Sequence, residues 1–241
     1  MHLVINMLIS GVQPFTLLDY PGKVAAIIFT PGCNMRCRFC HNKEFVLPEE
    51  IKKITPSFIS EKAVLNFMKS RVGKLDGLVI SGGEPTVQPD LAQFIQKVRD
   101  MGFLVKLDTN GNLPQILKKL VTEKLVDHVA MDVKTTPDRY MELVGDLAKP
   151  ENIIESINFL KEGHVTYEFR TTMIDGVHTK EIVDEMAKLL RGSDKLYLQT
   201  FRPEVTLDPE FEKKKPISQA QMNEYVAIFK KANINIVEIR K

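Results

Sequence analysis

Three thiols within eight residues form the most reactive grouping in the chain. FTPGCNMRCRFCHN, residues 29–42, carries Cys33, Cys37 and Cys40, and these are all the cysteines in 241 residues. An odd set cannot close into internal disulfides, and a reducing compartment keeps such groups available as thiolates. Soft thiolates select zinc, copper(I) or iron–sulfur clusters. A structural zinc would complete its tetrahedron with a fourth Cys or His. His41 is the only nearby candidate, and neighbours such as Cys40 and His41 rarely both chelate. A cluster of four irons on three cysteines would instead leave one iron without a protein ligand, open to bind and activate a substrate. Metal or redox chemistry is the expectation, with a zinc knuckle on His41 as its rival.

Such a loop needs a scaffold, and the rest of the chain supplies an alternating one. Apolar, β-branched runs at Ala25–Phe29, Gly77–Ile80, Leu104–Asp108, His128–Val133, Thr166–Thr172 and Leu196–Thr200, with a further run at Ile234–Ile239, read as strands. Amphipathic stretches at Ser60–Arg71, Asp90–Met101, Glu151–Lys161, Lys180–Leu190 and Ser218–Lys231 read as the crossover helices between them. Pro56-Ser57, Pro89-Asp90 and Pro216 to Ser218 mark helix starts, and Gly73, Gly102, Gly163 and Gly192 mark ends. The expected fold is α/β: an open, partial barrel of the TIM type with about six parallel β/α units. It forms one domain over residues 1–241, with a short N-terminal extension before the first barrel strand. No repeat, linker or composition shift divides the chain.

In such folds the site lies at the C-terminal ends of the strands. There the chain places PGCNMRCRFCHN, SGGEP, DTNG, MDVK and RTTM, in that order. Gly82 and Gly83, with Glu84, would let backbone approach a ligand closely; a tight turn is the plainer reading. Asp108 and Thr109 end one strand, and Asp132 and Lys134 end the next with alternate residues on one face. Asp108 also suits a turn cap before Asn110-Gly111, and Lys134 a snorkelling surface lysine. Arg170 and Thr172 alternate on the following strand, where an inward arginine needs an anion, and Asp132 is a rival partner for it.

Cys33-x3-Cys37-x2-Cys40, with Phe39 before the last cysteine and SGGEP at 81–85, resembles the signature of radical S-adenosylmethionine enzymes. Within them the chain is similar to the glycyl-radical-enzyme activases, and most to the anaerobic ribonucleoside-triphosphate reductase activating proteins, through QPFTLLDYPGKVAAIIFTPGCNMRCRFCHN, DTNG and DVK. The resemblance implies a 4Fe-4S cluster on the three cysteines, with S-adenosylmethionine chelating the open iron and reductively cleaved to a 5′-deoxyadenosyl radical that takes hydrogen from a partner's glycine. It implies further that Gly82, Gly83 and Glu84 serve the methionyl end. Asp108, Thr109 and Asp132 would reach the cofactor and help hold a monovalent cation beside its carboxylate, and Lys134, Arg170 and Thr172 would contact its methionyl end, ribose and backbone atoms. Arg202, in LQTFRP, stands where some activases place a histidine near the adenine, a departure that argues against a formate-lyase activase. The implied partners are a glycyl radical enzyme, anaerobic ribonucleotide reductase in the first place, and an external flavodoxin or ferredoxin, since no thiols remain for a second cluster. Two alternatives are a radical enzyme acting on a small molecule, such as a deazapurine carboxylate synthase, and a metal-binding module without catalysis.

Composition narrows the setting. The 33 basic and 31 acidic residues leave a formal charge of +2, too balanced for a protein that holds nucleic acid by neutralising phosphates. No apolar run approaches the roughly 20 residues that span a bilayer, and MHLVINMLIS lacks a signal core. A cytoplasmic protein is expected. The ten methionines and thirteen phenylalanines read as core, His128 as structural, and EFEKKKP at 210–216 as a solvated basic loop that could also guide a partner.

Overall fold

A computed structural model describes residues 7–240; the first six residues of MHLVINMLIS, and Lys241, lie outside the described residues. The fold is α/β, and among the described residues eight strands are ordered in the sheet as they come in the chain. The strands are β1 (Gly11–Thr16), β2 (Ala25–Thr30), β3 (Gly77–Gly82), β4 (Leu104–Thr109), β5 (His128–Asp132), β6 (Thr166–Met173), β7 (Lys195–Thr200) and β8 (Ile236–Arg240). By contacts the chain groups into two compact units: residues up to 34, 42–109 and 115–129 in the first, and 35–41, 110–114 and 130 onward in the second.

In the first unit β2, β3 and β4 run parallel and β1 lies antiparallel on β2. The expected N-terminal extension is therefore in part a strand. Its GVQPFT sequence hides this, because Pro14 interrupts the run and residues 13–15 are exposed, so no buried face marks it. AAIIFT of β2 is buried at every position but Phe29, as strands covered on both faces are. Tyr20, Ala25, Ile27 and Val79 pack as one cluster, flanked by Phe29 and Leu104. Helices α1 (Pro48–Ile54), α2 (Glu61–Lys69), α3 (Leu91–Arg99) and all but the first residue of α4 (Pro114–Thr122) belong here. Pro56-Ser57 forms a short 3-10 turn, and the α2 start falls at Ser60, whose hydroxyl accepts from the Ala63 amide.

In the second unit β6, β7 and β8 are parallel. Its helices are α5 (Tyr140–Val144), α6 (Pro150–Lys161), α7 (Lys180–Leu189), α8 (Pro209–Glu212) and α9 (Gln219–Lys231), with α9 packed on α7 and β8. Thr179 and Ser218 cap α7 and α9. Gly163 and Gly192, just beyond helix ends, take the positive φ that glycine adopts without strain. Among the described residues no helix is long and apolar enough to cross a membrane.

Candidate active site

In the first unit, β2 runs into the loop bearing Cys33, and the end of β3 lies directly against that loop. Gly83 N donates to Thr30 O and Glu84 N to Gly32 O, both at 2.8 Å. A side chain on Gly82 would strike the Thr30 backbone, and one on Gly83 the Gly32 carbonyl. The glycine pair thus answers first to backbone packed on backbone within the chain. Glu84, 1% exposed, braces the turn: one carboxylate oxygen accepts from Thr86 N (3.1 Å), Thr86 Oγ1 (2.5 Å) and Thr109 Oγ1 (2.8 Å). Asp108 is buried, and its carboxylate is bonded by Lys106 Nζ and by Ser81 Oγ at 3.1 Å. The turn after β4 is capped by Asn110, whose Oδ1 accepts from Asn112 N at 3.0 Å, so the cap expected of Asp108 is supplied two residues later.

In the second unit, residues 36–40 are tethered on two sides. Arg36 N and Arg38 N donate to Val144 O and Leu143 O, while Leu207 N and Asp208 N donate to Cys40 O and Arg38 O. Arg38 Nε also meets Asp208 Oδ2 at 2.7 Å. Phe39 is buried, 6.4 Å from the Phe211 ring between centroids, and the Lys134 ammonium lies 5.6 Å from the centre of the Phe39 ring. The 210–216 stretch is therefore no solvated loop throughout: Phe211 is 3% exposed and anchors the segment that holds the cysteine loop.

Charge gathers at the end of β5. Asp132 accepts from Arg170 Nε at 2.8 Å and from Lys134 Nζ at 3.3 Å. Burial works against the Lys134 charge, but Asp132, with Cys37, Tyr140 and Cys40, outweighs it and raises the lysine's pKa. Burial lifts the Cys37 thiol to about 11 against the pull of Lys134, with Cys40 and Asp132 adding to the rise. Lys134 is also pinned through its backbone. Its N–H donates to Tyr140 Oη (2.9 Å), and its carbonyl accepts from His178 Nε2 (2.9 Å), whose Nδ1 accepts from Ile174 N (3.0 Å).

The second unit thus brings together Cys37, Phe39, Cys40, Asp132, Lys134 and Arg170 in one network, with Thr172 half-buried further along β6. Arg202 is exposed; its carbonyl accepts from His41 Nε2 at 2.8 Å while the His41 ring stacks on Phe201. Lys106, Tyr140 and His178 were not singled out for the site by sequence. Only Lys106 left a signal, since i and i+2 in a strand share a face with Asp108.

None of the three cysteines is in a disulfide. Among the described residues no three or more His, Cys, Asp or Glu side chains are gathered closely enough to hold a metal ion, so the case for the thiols rests on their number, softness and spacing.

Residues 27–190 match the model of the Radical SAM superfamily, and the chain belongs to it. It is a radical SAM enzyme, and membership implies a 4Fe-4S cluster and S-adenosylmethionine, which a soft three-thiol loop fits. Over 236 residues, 95% of both chains, it is 35% identical to a candidate glycyl-radical enzyme activating enzyme of Methanocaldococcus jannaschii. It is 28% identical over 199 residues, 76% of each chain, to the 7-carboxy-7-deazaguanine synthase of Thermococcus kodakarensis. Streptococcus suis SuiB superposes with a TM-score of 0.65 at 18% identity, over 89% of this chain and 49% of that one, a likeness of fold alone.

Proposed function

We propose that the protein is an activase that generates a glycyl radical on a partner enzyme, with anaerobic ribonucleoside-triphosphate reductase as the partner. The observation that carries the activase reading is the end-to-end likeness to a candidate glycyl-radical enzyme activating enzyme, 35% over 95% of both chains, while the choice of partner rests on the sequence resemblance alone. In it Cys33, Cys37 and Cys40 are the cluster ligands. When bound, the cluster and S-adenosylmethionine supply the 5′-deoxyadenosyl radical.

The chain's own residues position and shield. Asp132 with Lys134 and Arg170 offers a charge set for the cofactor's amino and carboxylate ends, stiffened from behind by Tyr140 and His178. Phe39 fills apolar space beside the cysteines. Gly82, Gly83, Glu84 and Thr109 form a braced backbone edge, and Asp108, Thr172 and Arg202 complete the candidate contacts. A monovalent cation is left out of the proposal, because Asp108 and Asp132 already face Lys106 and the Arg170–Lys134 pair. Three cysteines leave no ligands for a conventional second cluster, so the electron comes from an external flavodoxin or ferredoxin in a cytoplasmic setting.

The likeness to a deazaguanine synthase favours a second reading, chemistry on a small purine-like molecule. Electron paramagnetic resonance separates the two. Reconstituted protein, S-adenosylmethionine, a strong reductant and anaerobic ribonucleotide reductase should give a glycyl doublet that depends on all three cysteines. Cofactor cleavage without that signal, alongside turnover of a deazapurine, would transfer the assignment to the second reading.

A further inference from the structure

A cavity of about 410 Å³ lies wholly within the second unit, and no role proposed above uses it. Its size falls in the range of small-ligand sites, roughly 300–1,000 Å³. Leu143, Val177, Ile182 and Phe211 give it apolar walls, and three of these are nearly fully buried. Among these walls stand the side chains of Arg38, Thr135 and Lys214. We propose that this cavity binds a small phosphorylated molecule, a phosphate ester with an apolar body.

The polar groups lining the cavity are underused by the chain itself. Thr135 is 1% exposed and lines the cavity, and among the described residues its hydroxyl has no hydrogen-bond partner. A hydroxyl at a cavity wall gains a partner when a ligand or water fills the space. Lys214 is half-buried; its ammonium lies 5.9 Å from the Phe211 ring centre and, among the described residues, has no carboxylate partner. Arg38 Cζ lies 4.9 Å from the same ring; its Nε is bonded to Asp208, and among the described residues its Nη groups carry no further bond. Two cations on one aromatic ring repel each other unless an anion joins them. The acids at the cavity are otherwise engaged: Glu210 with Lys213 at 2.6 Å, and Glu142 across from Arg139 at 4.0 Å. A guanidinium fork, an ammonium and a hydroxyl converging from different sides suit the three tetrahedrally spread terminal oxygens of a phosphate better than the planar oxygen pair of a carboxylate. The apolar walls take the ester's body.

Occupancy would reach the cysteine loop directly. Arg38 sits between Cys37 and Phe39, and its backbone and side chain both bond Asp208. A bound phosphate is therefore placed to stiffen the segment that carries two of the three thiols.

Calorimetric titration of the full chain with phenyl phosphate, inorganic phosphate and benzoate tests this, with and without S-adenosylmethionine. One phenyl phosphate per chain should bind, more tightly than either control, and S-adenosylmethionine should not displace it. Lys214→Ala should weaken binding about tenfold and Thr135→Val severalfold, with Lys214→Arg restoring most of the loss. Thermal midpoints without ligand check that the variants fold. Equal affinity in folded Lys214→Ala and wild type, displacement by S-adenosylmethionine, or no saturable binding up to about 10 mM would overturn the proposal.

Discussion

Asp108 and Asp132 end neighbouring strands in the chain and look alike in sequence, yet the structure treats them in opposite ways. Asp108 is locked between Lys106 and Ser81, with the lysine side chain 1% and the carboxylate 12% exposed. Asp132 keeps 32% of its side chain exposed and shares Arg170 and Lys134. The lysine's place decides the difference. Two residues before the acid, inside the strand, the lysine is swallowed with it; two residues after, beyond the strand end, the lysine is 13% exposed and the acid keeps a third of its side chain open. A carboxylate of the first kind is tied to stability before anything else, and one of the second kind can trade partners with a ligand.

The largest expected effect follows from that burial. Asp108→Asn strands the Lys106 ammonium, and breaking a buried pair from one side costs about 3–5 kcal/mol. The thermal midpoint should fall on the order of 10 °C by circular dichroism. Adding Lys106→Met should recover much of it. A wild-type midpoint in the single variant would erase the contrast between the two acids.

Next comes Gly83→Ala, whose methyl would meet the Gly32 carbonyl. Overpacking of this kind costs about 1–3 kcal/mol. The loss should show in protein that has never seen iron or S-adenosylmethionine. Normal stability with impaired cofactor binding would instead assign the glycine to the ligand.

Asp132→Asn should cost less than Asp108→Asn, about 1–3 kcal/mol, because the acid is a third exposed although the Lys134 and Arg170 side chains it pairs are largely buried. S-adenosylmethionine affinity should drop about tenfold, with cluster content unchanged. A large midpoint loss together with unaltered affinity would make the two acids alike after all.

How much of this was legible beforehand differs between the same regions. Strand starts at Ala25, Gly77, Leu104, His128 and Thr166 could be read because β-branched runs follow turn or polar residues, and these boundaries agree with the structure. Those runs bury both faces, so composition alone marks them. The Arg170–Asp132 pair was visible as an alternative because Asp132 ends one strand and Arg170 points inward from the strand that follows it in the chain. Lys106 was missed because a lysine amid apolar neighbours reads as an interruption, although the period of two puts it beside Asp108. Helix α4 was missed despite apolar residues at 116, 117, 120 and 121, its start crowded by the Asn110-Gly111 turn. The docking of 206–211 on the cysteine loop had no local signal at all. It depends on a register between segments about 170 residues apart, as in the Arg38–Asp208 pair.

The smallest effect concerns acidity, and it should separate the regions without any mutation. His178 is 1% exposed; it accepts from Ile174 N through Nδ1 and donates to the Lys134 carbonyl through Nε2. Tyr225 Oη donates to its backbone carbonyl at 2.8 Å. Both ring nitrogens are engaged in the neutral form, and protonation would set an N–H of Nδ1 against the Ile174 N–H. Burial accordingly lowers its pKa from the ordinary 6.5 despite both hydrogen bonds. Below about 6.5 the unfolded chain takes up a proton that the native ring refuses, so stability is full above that pH and declines as pH falls toward the native value. The slope cannot exceed about 1.4 kcal/mol per pH unit for one group. Hydrogen exchange locates the effect: between pH 7.5 and 5.5, amides near Lys134 and Ile174 should lose protection, with intrinsic exchange rates corrected, while those of β3 and β4 around Asp108 hold theirs. Replacing His178 with Phe should flatten this local dependence. Uniform loss in both regions, or an unchanged profile in the variant, would mean that the histidine does not distinguish them.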